Sequence, residues 1–381
     1  MSAGLARWAN RLGVFIQGLI ACTGWIIGMA LCALALGDAG SVVFLPLLLV
    51  MPLMLAAVVI HEGGHYLAAR SAGMTVLRMG IGRVELMPQR HGWRIRWAAR
   101  GKIKAAGYVI ATHDPARPLR TQSLRMIVGG PVANLVAAVI VGLLALPWLP
   151  HAVAWLTLAF ALVNATVGLA NLIPSSRGLG SDGLLLWLWR DRQREHSPQL
   201  AHVRLLALTV SGLTADRLPQ DHLAELDGQP APMPMVALWY RLKAHQNRGE
   251  WQQAAAAQAA FEQLSQALPP AMKRDLADFL ACIRTELAFS RAMRDTDGSG
   301  LVDGLLPKQA TWSAPVLWPR CLALRALLEG DRTKAQCLLD EVQQLAGQSL
   351  DRALAPSEAL IRHRMLALVP DAQAPRSNQP G

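Results

Sequence analysis

Apolar positions dominate the first half of the chain in long unbroken runs. Gly13 to Leu36 carries no charge, follows Arg7 and Arg11, and stops short of Asp38. A second run begins at Ser41 and stays uncharged to Ile60, after which a helical pattern continues through His61, Glu62, His65 and Leu67 to Arg70. Met126 to Pro150 and Ala152 to Ser176 are uncharged throughout. Each run has the ~20 residues that a helix needs to cross a hydrocarbon core of about 30 Å, so each predicts a membrane span. Positive residues favour the cytoplasmic side, so Arg7 and Arg11 place the start of the first span inside. The second then ends inside at Arg70, the third runs outward and the fourth returns. The first run reads as an anchor and not a cleaved leader. It exceeds the roughly 7 to 15 residues of a secretory signal core, although Ala33-Leu34-Ala35 imitates a cleavage site. A last apolar patch, Leu184 to Trp189, is too short to span and reads as a broken or interfacial helix that ends the membrane core.

Between the second and third runs the period changes. Thr75 to Ala111 is interrupted by glycines, and Trp93-Arg94-Ile95-Arg96-Trp97 alternates apolar and basic residues. A period of two predicts short strands with one apolar face, and Gln89-Arg90-His91-Gly92 supplies a turn. Such a sheet lies on the membrane surface; an edge strand within it is also suited to pair with an unwound substrate segment. From Glu195 onward the pattern is that of a helix-rich soluble region, with Asp, Gly and Pro clustered from Leu218 to Pro234 as a linker. Gly249-Glu250-Trp251-Gln252-Gln253-Ala254 and Gly330-Asp331-Arg332-Thr333-Lys334-Ala335 resemble each other. A Gly-acid turn with an Ala five residues after the Gly suits a tight helical hairpin of tetratricopeptide type, and such hairpins suggest a protein partner.

Composition sharpens this picture. At 381 residues, 52% hydrophobic and 17% charged, the chain is too apolar for an ordinary soluble protein. Its net charge of +11 raises the question of nucleic acid, and the distribution answers it. Tyr66 to Arg125 holds twelve Lys or Arg against Glu85 and Asp114. One inter-membrane loop therefore carries almost all the excess, which signals topology and contact with anionic lipid headgroups; no nucleic-acid partner is expected. Cys22, Cys32, Cys282, Cys321 and Cys337 show neither metal-ligand nor disulfide spacing and read as packing residues.

The chemistry centres on His61-Glu62-Gly63-Gly64-His65. Histidines four apart stack on one helix face, where both imidazoles can reach one zinc ion. Glu62, at the edge of that face, is placed to take a proton from a metal-bound water. A carboxylate costs about 2.5 to 3.5 kcal/mol at mid-bilayer, so ionisable groups in such a run imply function. Hydrolytic zinc needs a third protein ligand and an open position. From Ala152 to Trp189 the only charges are Arg177 and Asp182, which makes Asp182 the leading candidate. The alternative for Asp182 is a helix cap. Ser41 to His61 and Ala152 to Asn171 both rise about 30 Å along a helix, and Gly129-Gly130-Pro131-Val132-Ala133-Asn134 begins just inside the third run. All three irregularities therefore arrive at the inner leaflet.

Together these residues resemble the site-2 protease family of intramembrane zinc metalloproteases. The resemblance rests on His61 to His65, on Gly130-Pro131-Val132-Ala133-Asn134, and on Asn171-Leu172-Ile173-Pro174 followed by Asp182-Gly183, and it covers about 41–190. It implies one Zn2+ per chain held by His61, His65 and Asp182, Glu62 as general base and acid, and Asn134 and Asn171 as polar contacts to substrate or transition state. It also implies membrane-embedded protein substrates cut near the cytosolic leaflet. Seven residues, Ser175 to Ser181, separate Pro174 from Asp182, more than the family pattern has, and Gly178 and Gly180 would let that loop bulge. No PDZ-like insertion of the kind many relatives carry is present, so the basic strand region and the helical tail remain to select substrates.

The expected architecture is mostly α. An anchor (1–40) leads to a metalloprotease core (41–194) with a β-rich basic loop (74–112). A linker region (195–234), a cytosolic helical-hairpin domain (235–369) and a disordered tail (370–381) follow. The expected location is a bacterial inner membrane, multi-pass, with both termini cytoplasmic. Two other functions would use the same fold or residues. A catalytically silent receptor or scaffold would show altered motifs, and a metal-handling transporter would spread its polar residues through the bilayer depth.

Overall fold

The computed structural model describes residues 3–37, 44–98, 106–176 and 180–368. The tail beyond 368, the basic residues Arg100, Lys102 and Lys104, Asp38, Ser41, Arg177 and Gly178 lie outside the described residues. The chain divides into two compact units, Met1–Pro88 with Gly92–His196 and Gln89–His91 with Ser197–Gly381.

The four apolar runs form helices α1 (Ala3–Leu36), α2 (Phe44–Ser71), α3 (Leu119–Ala145, continued by a 3-10 turn to Trp148) and α4 (Ala152–Leu172). All four are long and apolar enough to cross a membrane. They are apolar on every side, as helices facing lipid must be, and Phe15, Met51, Val139 and Val153 stand exposed. Helix α1 starts at Ala3 and not at Gly13, and two further boundaries differ from the sequence expectation. Helix α3 starts at Leu119 and not at Met126, so Arg120 and Arg125 belong to the helix. Its first turns are tied down by Arg120, whose Nε donates to the Trp189 carbonyl at 3.0 Å while its backbone N–H donates to Glu195 Oε2 at 3.2 Å. Helix α4 ends at Leu172, short of Ser176, because Pro174 lacks an N–H and forces the residue before it out of helical geometry.

Small residues set how closely these helices cross. A side chain on Gly64 would overlap the Gly129 carbonyl and Ala133, and one on Gly129 would overlap Ala68 and the Gly64 carbonyl. Helices α2 and α3 therefore touch backbone to backbone beside the histidines, a use of small residues common in membranes. Gly63 faces open space, so only Gly64 of the pair serves packing.

The loop after α2 is a four-stranded antiparallel sheet, β1 (Thr75–Ile81), β2 (Val84–Pro88), β3 (Trp93–Trp97) and β4 (Gly107–Thr112), in the order β3-β2-β1-β4. Pro88 pairs with Trp93, which puts the turn at 89–92 as expected. Register sorts the side chains. Trp93, Ile95 and Trp97 share a face with Pro88, Leu86 and Val84, then Met79, Ile81 and Val109. Arg94, Arg96, Glu85, Arg78 and Tyr108 share the other. The apolar face packs on the C-terminal end of α2, where Met74, Val76 and Val109 meet Tyr66, Ala69 and Ala72. Helix α5 (Asp182–Leu188) closes this unit.

In the second unit, residues 195–234 are not a bare linker. They carry α6 (Ala201–Ser211) and α7 (Gln220–Asp227), and Leu205, Leu223 and Leu226 are fully buried against Ala237 and Tyr240. Gly212 ends α6 and Pro219 caps α7, while of the other prolines that suggested a linker Pro230 and Pro232 precede the next helix and Pro234 lies in its first turn. Then follow α8 (Met233–Arg248), α9 (Trp251–Ala267), α10 (Pro270–Asp275), α11 (Ala277–Asp295), α12 (Lys308–Ser313), α13 (Leu317–Leu328), α14 (Arg332–Gln348) and α15 (Leu354–Leu368). The two similar Gly-acid segments are the turns of hairpins α8–α9 and α13–α14. Gly249 and Gly330 adopt φ of 76° and 83°, and Ala254 and Ala335 are fully buried. A buried ion cluster joins α8, α11, α13 and α15. Arg320 binds Glu286 and Glu358, while Lys243 Nζ lies 3.0 Å from Glu286. Burial works to raise the Glu286 carboxyl, but the two cations outweigh it and hold it below the usual range. Cys32, Cys282 and Cys321 are buried packing residues; Cys22 and Cys337 are exposed, so the packing role holds for three of the five.

Candidate metal centre

Helix α2 sets His61 and His65 one turn apart, with their rings edge to face at 4.7 Å and their Nε2 atoms 3.2 Å apart. Asp182 arrives from the far end of the unit as the first residue of α5. Its Oδ2 lies 3.1 Å from His61 Nε2 and its Oδ1 lies 3.4 Å from His65 Nε2. Capping falls to its neighbour. Ser181 Oγ accepts from the Leu184 N–H at 3.2 Å, which leaves the Asp182 carboxylate to the histidines. Gly183 is required next, because any side chain there would overlap the Leu172 carbonyl at the end of α4. The long loop before Asp182 is closed at its base. Ser181 N–H donates to the Ser175 carbonyl at 2.9 Å, and Ser175 N–H donates to Ser181 Oγ at 2.9 Å. Its extra length therefore leaves Asp182 in place.

A chain of buried amides orients the His61 ring. Asn164 Nδ2 donates to the Phe160 carbonyl, so its Oδ1 faces Asn134. Asn134 Nδ2 gives its hydrogens to that oxygen and to the Ala57 carbonyl, both at 2.9 Å. Its Oδ1 is left to accept from His61 Nδ1 at 2.7 Å. His65 Nδ1 in turn donates to the Met126 carbonyl at 2.8 Å. With both Nδ1 atoms held by acceptors, the two Nε2 atoms are the ones that face each other and the Asp182 carboxylate, and in the neutral imidazoles they are the atoms that can ligate a metal.

Two imidazole nitrogens and a carboxylate this close are held together either by a proton shared with the carboxylate or by a metal ion bound by all three. Bond lengths of 2.0 to 2.1 Å to tetrahedral zinc place its ligands about 3.3 Å apart. The three separations here, 3.2, 3.1 and 3.4 Å, fit that spacing, and the His and Asp donors are ones zinc accepts. Asp182 Oδ2 is also buried without a hydrogen-bond donor. The residues thus fit a zinc ion.

A cavity of about 520 Å3 opens on this cluster. Glu62 borders it, 6% exposed, and faces strand β4 so closely that any side chain on Gly107 would overlap its carboxylate. Tyr108 follows on the same wall. Burial, with Glu85 accepting from its hydroxyl at 2.8 Å, pushes the phenol up to about 12, so it remains neutral at physiological pH. Asn171 lines the cavity as expected, its Nδ2 donating to the Val167 carbonyl at 3.0 Å. Asn134 does not. Expected as a contact to substrate or transition state, it is fully buried behind His61 with its amide wholly engaged, so it orients His61 instead. Sequence reasoning missed Asn164, Gln17 and Gly107. The first two had a visible signal, an amide within an otherwise apolar span, the argument already applied to Glu62.

The fold and cluster define a class: a unit of membrane-length helices with a His-His-Asp cluster able to hold a metal ion, beside a buried carboxylate. Residues 49–154 match the model of Peptidase family M50, the site-2 protease family, which supports a membrane metalloprotease. The matched stretch holds His61, Glu62, His65 and Asn134 and ends before Asn171 and Asp182. No curated protein and no solved structure matches the chain significantly.

Proposed function

We propose that this protein is a zinc-dependent intramembrane endopeptidase that hydrolyses membrane-embedded protein substrates near the cytosolic leaflet. The observation that carries the proposal is the convergence of two imidazole nitrogens and a carboxylate, with Glu62 beside them, near the C-terminal end of a membrane-length helix. Zinc, when bound, supplies Lewis acidity and lowers the pKa of a coordinated water towards 7. Glu62 accepts that proton and returns it to the leaving amine. Asn171, on the cavity wall, holds the substrate backbone. Among the described residues strand β4 pairs with β1 alone, and its other edge, from Gly107 to Val109 along the cavity, is where an unwound substrate segment would add as a further strand. Metal removal tests the reading. Purified full-length protein should cut a tagged single-span membrane protein, stop when a chelator strips the metal, and resume on adding zinc. Cleavage indifferent to the chelator would rule it out.

The sheet suggests how lipid takes part. Its apolar face continues beyond α2 into Trp93, Ile95 and Trp97, which are 46%, 64% and 66% exposed, and its opposite face carries Arg78, Arg94 and Arg96. Such a sheet suits the inner-leaflet interface, with aromatic residues at headgroup depth and arginines near anionic lipid. A spin label at Ile95→Cys, with Cys22 and Cys337 replaced by Ser, should collide with oxygen dissolved in the bilayer and be shielded from a water-soluble nickel chelate. The reverse order would place the face in water. We further assign the protein to the bacterial inner membrane with both termini cytoplasmic, following Arg7, Arg11 and the basic loop, and the α8–α9 and α13–α14 hairpins to a protein partner.

A further inference from the structure

Helix α1 is bound to the segment that delivers Asp182. Asn10, Gly13, Gln17 and Gly24 fall on one face of α1, and each meets α4 or the chain that follows it. Asn10 Oδ1 accepts from the Ser176 N–H at 2.8 Å. A side chain on Gly13 would overlap the Pro174 carbonyl, and one on Gly24 would overlap Thr166. Gln17 spans both partners. Its Nε2 donates to the Ala170 carbonyl at 3.3 Å, and its Oε1 accepts from the Ser175 hydroxyl at 2.8 Å. Ser175 is bonded in both directions to Ser181, and the Ser181 hydroxyl also donates to the Ile173 carbonyl at 2.7 Å. Ser181 caps α5, whose first residue is Asp182.

We propose that Gln17 is a positioning residue of the metal centre: through Ser175 and Ser181 it fixes the start of α5 and so holds Asp182 against His61 and His65. The first helix is then a working part of the enzyme and not an anchor alone. The inference rests on the zinc reading above. It follows from where the polar bonds fall. An amide inside an apolar span has few partners, and this one spends both its oxygen and its nitrogen on the backbone and hydroxyl that lead into the third ligand. Groups bonded directly to a metal ligand are typically worth about 10- to 100-fold in metal affinity, and Gln17, acting through Ser175 and Ser181, is expected at the lower end of that range.

The test uses purified full-length protein, with zinc affinity measured by chelator competition and the visible spectrum of the cobalt-substituted form reporting ligand geometry. Gln17→Met, close in volume but without the amide oxygen, is expected to weaken zinc by roughly ten-fold and to alter the cobalt spectrum. Gln17→Glu keeps an oxygen for the Ser175 hydroxyl and should restore both. Ser175→Ala should weaken zinc on its own yet add nothing to Gln17→Met. Gly18→Ala, on a side of α1 with nothing nearby, should change neither reading. Wild-type affinity and spectrum in Gln17→Met would overturn the proposal, as would full additivity of the two substitutions. If Gln17→Met does not fold, unchanged zinc affinity in Ser175→Ala overturns it. Wild-type protein that takes up no stoichiometric zinc refutes the zinc reading itself, an outcome seen before any substitution is made.

Discussion

Glu62→Gln is expected to slow cleavage of a membrane substrate by about 10²- to 10⁴-fold, the usual worth of a positioned acid-base group, while zinc content stays at one per chain. The substitution keeps the shape of the side chain, which matters because Gly107 and β4 leave no slack around the carboxylate. Only the capacity to take a proton is lost. Glu62 is not among the three clustered ligand atoms, so the metal has no reason to leave. Cleavage rate and zinc stoichiometry, measured on the same sample, separate this outcome from unfolding. An unaltered rate would refute the protease proposal and favour the silent scaffold, and a lost zinc would mean that Glu62 is a ligand.

Asp182→Asn should lower zinc affinity by at least about 100-fold, since loss of a mere orienting partner already costs up to that much. The amide is neutral and donates where the carboxylate accepted, so one half of the side chain turns a proton toward two imidazole nitrogens. The helix cap is untouched, because Ser181 supplies it. Metal analysis after gel filtration checks the result, and retained stoichiometric zinc would remove Asp182 from the ligand set. This experiment also tests the part of the site beyond the family match, which ends at residue 154.

What the chain itself determined is local. Four uncharged runs can only be buried as helices, because lipid satisfies no backbone group, and the four helices follow from them. The period-two pattern of Trp93 to Trp97 and its glycine turn led to the sheet. The spacing of His61 and His65 placed two ligands on one face, since four residues make one helical turn. The third candidate ligand was nameable because few charges compete in that background, and the level of Asn171 could be reckoned from helix rise.

Tertiary structure decided everything that depends on how one element meets another. It brought Asp182 to residues more than a hundred positions earlier, gave the cap to Ser181, turned Asn134 from a substrate contact into the partner of His61, and set β4 against Glu62. It also made helices of the Pro- and Gly-rich stretch 195–234, where buried leucines outweigh the turn residues. Periodicity gives a residue its side of a helix or strand, but which neighbour that side meets is set by close packing over the whole unit. The crossing of α2 and α3 at Gly64 and Gly129, and the clasp of α1 on Ser175, are such contacts, and through them the site acquires its geometry.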